Sequence, residues 1–103
     1  MKHHFLGRAR DGHGNIQINQ QIFIYFTGTT SAAPVYQNYE DITPISIAPQ
    51  ISTNIEGLFS FYVDDTEIEY TQLFDIVCQE ITYERIDIFK GNLLFNPKQW
   101  FLL

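Results

Sequence analysis

The stretch Gln21-Ile22-Phe23-Ile24-Tyr25-Phe26-Thr27 decides the fold class. It is nearly continuous in apolar residues, and those residues are β-branched or aromatic, the types that fit a pleated surface. Read as a central strand, it sets Ile22, Ile24 and Phe26 on one face and Phe23 and Tyr25 on the other. Leu58-Phe59-Ser60-Phe61-Tyr62-Val63 repeats the pattern, with Phe59, Phe61 and Val63 opposed to Leu58, Ser60 and Tyr62. Phe74 to Cys78 is a further strand with Phe74, Ile76 and Cys78 together, and Ile81 to Phe89 follows with Thr82, Glu84, Ile86 and Ile88 on one side.

Working outward, Leu6–Arg10 reads as a short edge strand and Val35-Tyr36 as a shorter one. Asp11-Gly12-His13-Gly14-Asn15, Gly28-Thr29-Thr30-Ser31 and Asn54-Ile55-Glu56-Gly57 carry turn chemistry. Pro34, Pro44 and Pro49 exclude a central strand or a long helix from the middle, leaving extended pieces at 44–48 and 50–53. A helical period fits only Thr66–Phe74, for one or two turns. About five to seven short strands divided by turns describe an all-β chain, a small antiparallel β-sandwich.

Composition agrees. The 103 residues suffice for one domain, 16% of them aromatic and only 17% charged, which excludes a disordered chain. Fourteen Ile against four Ala and one Met argue against an all-helical protein. The net charge of -6 speaks against a nucleic-acid partner. That charge is uneven: residues 1–39 carry +2 and residues 40–103 carry -8. A single cysteine, Cys78, forms no intrachain disulfide. No signal-peptide core and no apolar run near 18 residues occurs, so a soluble chain made in a cytoplasm, with no membrane insertion, is expected.

The C-terminus departs from the strand pattern. With the sandwich assigned to residues 1–92, residues 93–103 form an apolar extension: Leu93, Leu94, Phe95, Trp100, Phe101, Leu102 and Leu103 around a break at Asn96-Pro97. Each such side chain gains about 1.5–3 kcal/mol on burial. The segment is expected either to pack on its own sheet or to dock on another chain, and these seven residues are the candidate partner-binding set.

Catalytic constellations are scarce. His3, His4 and His13 all lie near the N-terminus, and no Gly-x-Ser-x-Gly, phosphate loop or His-Glu-x-x-His occurs. Adjacent His3 and His4 point to opposite faces of an extended chain, so solvated histidines are expected, His3 and His4 on a fraying end, in place of a metal site. Asp64, Asp65, Glu67 and Glu69 are the sharpest charge cluster; without the EF-hand spacing and its glycine they read as a solvated loop before a calcium site. Cys78 reads as a core residue. Tyr25, Tyr36, Tyr39 and Tyr62 offer aromatic faces for sugar rings, and also suit core or interface positions. No cofactor, metal or catalytic residue is expected.

Arg10-Asp11-Gly12-x-Gly14-Asn15, Ile22-Phe23-Ile24-Tyr25 with Gly28-Thr29-Thr30, Val35-Tyr36, Thr43-Pro44-Ile45-Ser46 and Thr53-Asn54-x-x-Gly57-x-Phe59-Ser60-Phe61-Tyr62-Val63-Asp64-Asp65 stand in an order that resembles a module of tailed bacteriophages. There it forms the virion-proximal end of tail fibres, or small adaptors holding fibres to the tail. The resemblance covers roughly residues 8–89. It implies a prealbumin-like sandwich, related to transthyretin-like and carboxypeptidase regulatory-like domains. It also implies a non-enzymatic virion component of the tail or neck, assembled in the host cytoplasm, with other tail or fibre proteins as partners and a homo-oligomeric, symmetric arrangement. The alternative is a carbohydrate-binding module for a host surface glycan. Hydrolases of the transthyretin-like superfamily rely on His and Arg in a shared channel and on a C-terminal motif that this sequence lacks. The stretch Thr66–Leu73 lengthens a turn that is often shorter in the module, and the chain stops where a fibre shaft would begin.

Overall fold

A computed structural model of the chain describes residues 1–89. Within them lie six strands and no helix: β1 (Lys2–Arg8), β2 (Gln21–Phe26), β3 (Ile51–Ser52), β4 (Leu58–Asp64), β5 (Phe74–Cys78) and β6 (Ile81–Ile86). β1 pairs with β4 to make one antiparallel sheet, and the order β3-β2-β5-β6 makes the other. The chain is a small antiparallel β-sandwich.

The core forms because the alternating faces meet. Phe5, Phe59, Phe61 and Val63 from the first sheet join Ile22, Ile24, Phe74, Ile76, Cys78 and Ile86 from the second in one buried cluster. Each strand then shows its other side to solvent, as the period of two requires. β1 needs Gly7 on its inward face, because a Cβ there would sit 2.7 Å from Phe59 Cζ. The middle segment extends the first sheet: Tyr36 exchanges backbone bonds with Tyr62 at 2.9 and 2.8 Å, and Val35 with Ile45 at 3.1 and 2.7 Å.

Three expectations are corrected. The first strand runs Lys2–Arg8 and not Leu6–Arg10, since the whole N-terminus pairs with β4, Lys2 opposite Asp64 and Arg8 opposite Leu58. Thr66–Phe74 forms turns and no helix: the Asp64 carbonyl accepts from both Glu67 and Ile68 at 3.1 Å, and Ile68 then enters the core. The last strand stops at Ile86, and its faces change over partway. Phe74 pairs with Ile86 but Ile76 with Tyr83, a β-bulge at which Arg85 takes φ +59. Tyr83 therefore packs on the core, Thr82 and Glu84 face water, and Ile86 and Ile88 are buried beyond the bulge. Asp75 fastens the bulge by accepting from the Thr27 hydroxyl, from Gly28 N–H at 3.0 Å and from Arg85 N–H at 3.1 Å. Partial burial pushes the Asp75 carboxyl up, but these three bonds outweigh it and the net shift is downward.

Candidate functional site

The acidic cluster does not converge on a ligand, because its carboxylates serve different neighbours. Asp64 accepts from Thr66 N–H at 3.0 Å and from its hydroxyl at 2.8 Å, the Asx-turn that ends β4. Those Thr66 bonds, with the N-terminal ammonium at 3.3 Å, hold its carboxyl down at about 2. Asp65 meets His3 Nε2 at 2.8 Å and the ammonium at 3.0 Å, and the His3 contact leads in lowering its pKa. Glu67 accepts from the Tyr36 hydroxyl, which with desolvation pushes that phenol up to about 12. Glu69 is exposed. Among the described residues no three His, Cys, Asp or Glu side chains gather as metal ligands.

The histidines likewise part company. His3 and His4 lie within β1 and not on a frayed end. His3 turns to Asp65 and to the edge of Phe89 at 5.1 Å, while His4 stacks on Tyr62 at 4.6 Å on the opposite face. His13 sits in the distant Asp11–Asn15 turn, where Asp11 accepts from His13 N–H at 2.8 Å and Asn15 N–H at 2.9 Å. Cys78 is buried on β5 as a core residue, and desolvation raises its thiol pKa.

Three of the four tyrosines meet on the outer face of the first sheet. Lys2 Nζ lies 3.9 Å over the Tyr36 ring and donates to the carbonyls of Tyr39, at 2.7 Å, and Asp41. Tyr36 is thereby buried, its face covered by a lysine of its own chain. Tyr39 stands exposed, edge-on to Tyr62 with 79° between the rings. Tyr25 lies on the other sheet beside Phe23. The four rings make no common flat platform for a sugar.

What sequence reasoning missed is the set of groups that pin the loops. Lys2 holds the 39–41 turn from β1, and buried Gln50 ties Ile24 to Ala33 through its amide. A polar residue between Pro49 and the apolar Ile51 was the available signal for Gln50. The segment between these pins carries large exposed apolar side chains, Ile42 at 93% and Ile47 at 81% exposure, and Ile55 is exposed in the separate 54–57 turn. Leu6, Gln37, Asn38, Ile51, Asn54 and Leu58 meanwhile line an open, largely polar groove of about 340 Å³ beside β4. The predicted partner-binding residues Leu93, Leu94, Phe95, Trp100, Phe101, Leu102 and Leu103 lie outside the described residues. Among the described residues no helix is long and apolar enough to cross a membrane. No family model, no curated protein and no solved structure matches the chain.

Proposed function

We propose that the chain is a non-enzymatic structural component of a bacteriophage tail or neck, an adaptor that attaches fibres or neighbouring tail proteins to the virion. One observation carries the reading: isoleucines are displayed on loops that the fold holds in place, Ile42 at 93% and Ile47 at 81% exposure between the Lys2-pinned turn and Gln50. A β-branched apolar side chain left in water on a pre-ordered loop costs solvation free energy alone and recovers it in a complex, with little ordering penalty. The module resemblance adds the sandwich itself. Its Gly28-Thr29-Thr30 string closes β2 in a turn with Gly28 at φ +75, and its Gly57-x-Phe59-Ser60-Phe61 string opens β4 from a turn with Gly57 at φ +74. On this reading the sandwich is of the prealbumin-like type, needs no cofactor, and contacts protein partners by apolar shape complementarity.

The test is presence in particles. Gradient-purified virions of the phage encoding this chain should contain it at a fixed ratio to tail proteins. A variant lacking Asn96–Leu103 should keep the far-UV spectrum of the sandwich yet drop out of those particles. Virions free of the chain would overturn the reading.

A further inference from the structure

β1 is an edge strand, and its ladder to β4 uses every second residue. Asp65 N–H donates to the Met1 carbonyl at 3.0 Å at one end, and Ala9 N–H to the Gly57 carbonyl at 2.9 Å at the other. Between them His3, Phe5 and Gly7 stand opposite Val63, Phe61 and Phe59 in the same phase. The main-chain groups of Lys2, His4, Leu6 and Arg8 therefore point the other way, off the free side of the sheet. Arg10, next in that series, is capped: its N–H donates to the Tyr83 hydroxyl at 3.3 Å, and its carbonyl accepts from the same hydroxyl at 3.1 Å. Among the described residues nothing bonds to the main chain of the other four on that side. Of the other edge strands, β3 is two residues long and β6 is interrupted by its bulge at Arg85, so β1 is the regular template.

We propose that the free edge of β1 takes an extended, carboxylate-bearing strand of another protein by β-augmentation. From Lys2 to Arg8 that edge spans about 20 Å, room for a strand of about six or seven residues. Charge chooses the occupant. The side chains along the edge are Lys2, His4, Leu6 and Arg8, followed by Arg10, and no ion pair among the described residues engages Arg8 or Arg10. At the Lys2 end Asp64 and Asp65 are already met by the N-terminal ammonium and His3, so the Arg8 end is where a partner carboxylate is best placed. A second copy of β1 brings no carboxylate in any register, and at full overlap it sets Lys2 opposite Arg8, like charge against like. Residues 90–103 of the chain itself offer Lys90 and Lys98 and no Asp or Glu. The cations that discourage both occupants select an acidic strand from elsewhere. In such a contact backbone bonds supply affinity and alternate side chains supply selectivity. The inference goes beyond the adaptor reading, which rests on the isoleucine loops and asks nothing of β1.

Amide hydrogen exchange of the full chain, read by NMR, tests this with two capped hexapeptides, one alternating Thr and Glu, the other Thr and Lys. In the free chain the His4, Leu6 and Arg8 amides should exchange fast while those of Phe5 and Gly7 are protected. The Glu peptide at about 1 mM should slow all three by at least about twofold, the protection given by a ligand at its Kd. The Lys peptide should leave them unchanged. Leu6→Pro removes a donor from the free edge and none from the β4 ladder. It should keep the far-UV spectrum and the Phe5 and Gly7 protection, and lose the response to the Glu peptide. Equal protection by the two peptides, protection elsewhere or none, or a folded Leu6→Pro chain that still responds would each overturn the proposal. So would His4, Leu6 and Arg8 amides protected before peptide is added: protection that falls with dilution identifies a second copy, and protection that does not identifies residues 90–103. None of these results touches the presence of the chain in virions, so the two readings fail separately.

Discussion

Replacing Gln50 tests whether a buried amide, and not only the aromatic core, holds the segments around Ala33 and Gln50 to β2. The side chain is 6% exposed, donates to the Ile24 carbonyl at 2.7 Å and the Ala33 carbonyl at 2.9 Å, and accepts from Ile24 N–H at 3.0 Å. Gln50→Met keeps the length and removes all three bonds. The Ile24 carbonyl still has Ala33 N–H at 2.9 Å, so two groups are orphaned, Ile24 N–H and Ala33 C=O. At about 1–3 kcal/mol for each buried unsatisfied group, the loss should be about 2–6 kcal/mol. A domain of this size holds only about 5–15 kcal/mol in total, so the urea midpoint should fall steeply at unchanged slope, read by far-UV circular dichroism. Gln50→Glu adds a sign. It keeps an acceptor for Ile24 N–H but sets a carboxylate against two carbonyls, so the folded state prefers the protonated acid and its pKa rises above the unfolded value, about 4.3. That variant should be least impaired below about pH 4.3 and lose stability as pH rises through the raised folded value. A Met variant losing under about 1 kcal/mol would refute the reasoning, because the two backbone groups would then have found water.

Gly7→Ala should cost about 1–3 kcal/mol by overpacking, since the new methyl meets Phe59 Cζ at 2.7 Å and Phe5 Cε1 at 3.1 Å, and Phe59→Leu should recover part of that loss in denaturant melts. Asp64 is held at about 2 against an ordinary 3.8, so its contribution is complete above the ordinary value and is lost as pH falls through about 2. Asp64→Asn should flatten that acid limb of the stability curve; an unchanged limb counts against the Thr66 turn. In a spectrophotometric titration one tyrosine of six should ionise last, near 12, and Glu67→Gln should bring it down. A profile unmoved by that change would separate Tyr36 from Glu67.

The strands in the central part of the chain were legible because their signal is local. Gln21–Phe26, Leu58–Asp64 and Phe74–Cys78 each set one face inward, and the expected inward residues Ile22, Ile24, Phe59, Phe61, Val63, Phe74, Ile76 and Cys78 became the core, with Phe26 only half-buried against it. The first strand was harder to read: Lys-His-His at its start looks like a polar end, yet His3 lies between Asp65 and Phe89 and His4 stacks on Tyr62. Those partners lie roughly sixty to ninety residues away, and no periodicity in the first ten residues announces them. β6 failed for a different reason. A bulge breaks the period of two, and it rests on Asp75 reaching Arg85 N–H across the sheet, a tertiary bond with no trace in Thr82–Ile88. The loop pins were missed likewise, since Lys2 acts on Tyr39 and Asp41 through space.

The acidity of the chain divides by residue type once the turns are known. Four of the aspartates are architectural: Asp11 holds His13 and Asn15, Asp41 holds Asn38, Asp64 holds Thr66, and Asp75 holds Gly28 and Arg85, each through backbone N–H. The short carboxylate reaches the main chain of a turn where a glutamate overshoots it. Glu40, Glu56, Glu80 and Glu84 are exposed instead, and none of them caps a turn among the described residues. The charge a partner would feel is therefore largely glutamate, while the charge that holds turns together is aspartate. Salt screens exposed charges first. Any association of this chain through its acidic surface should accordingly weaken with salt, at conditions under which the Asx-turns and the sandwich they shape are still intact.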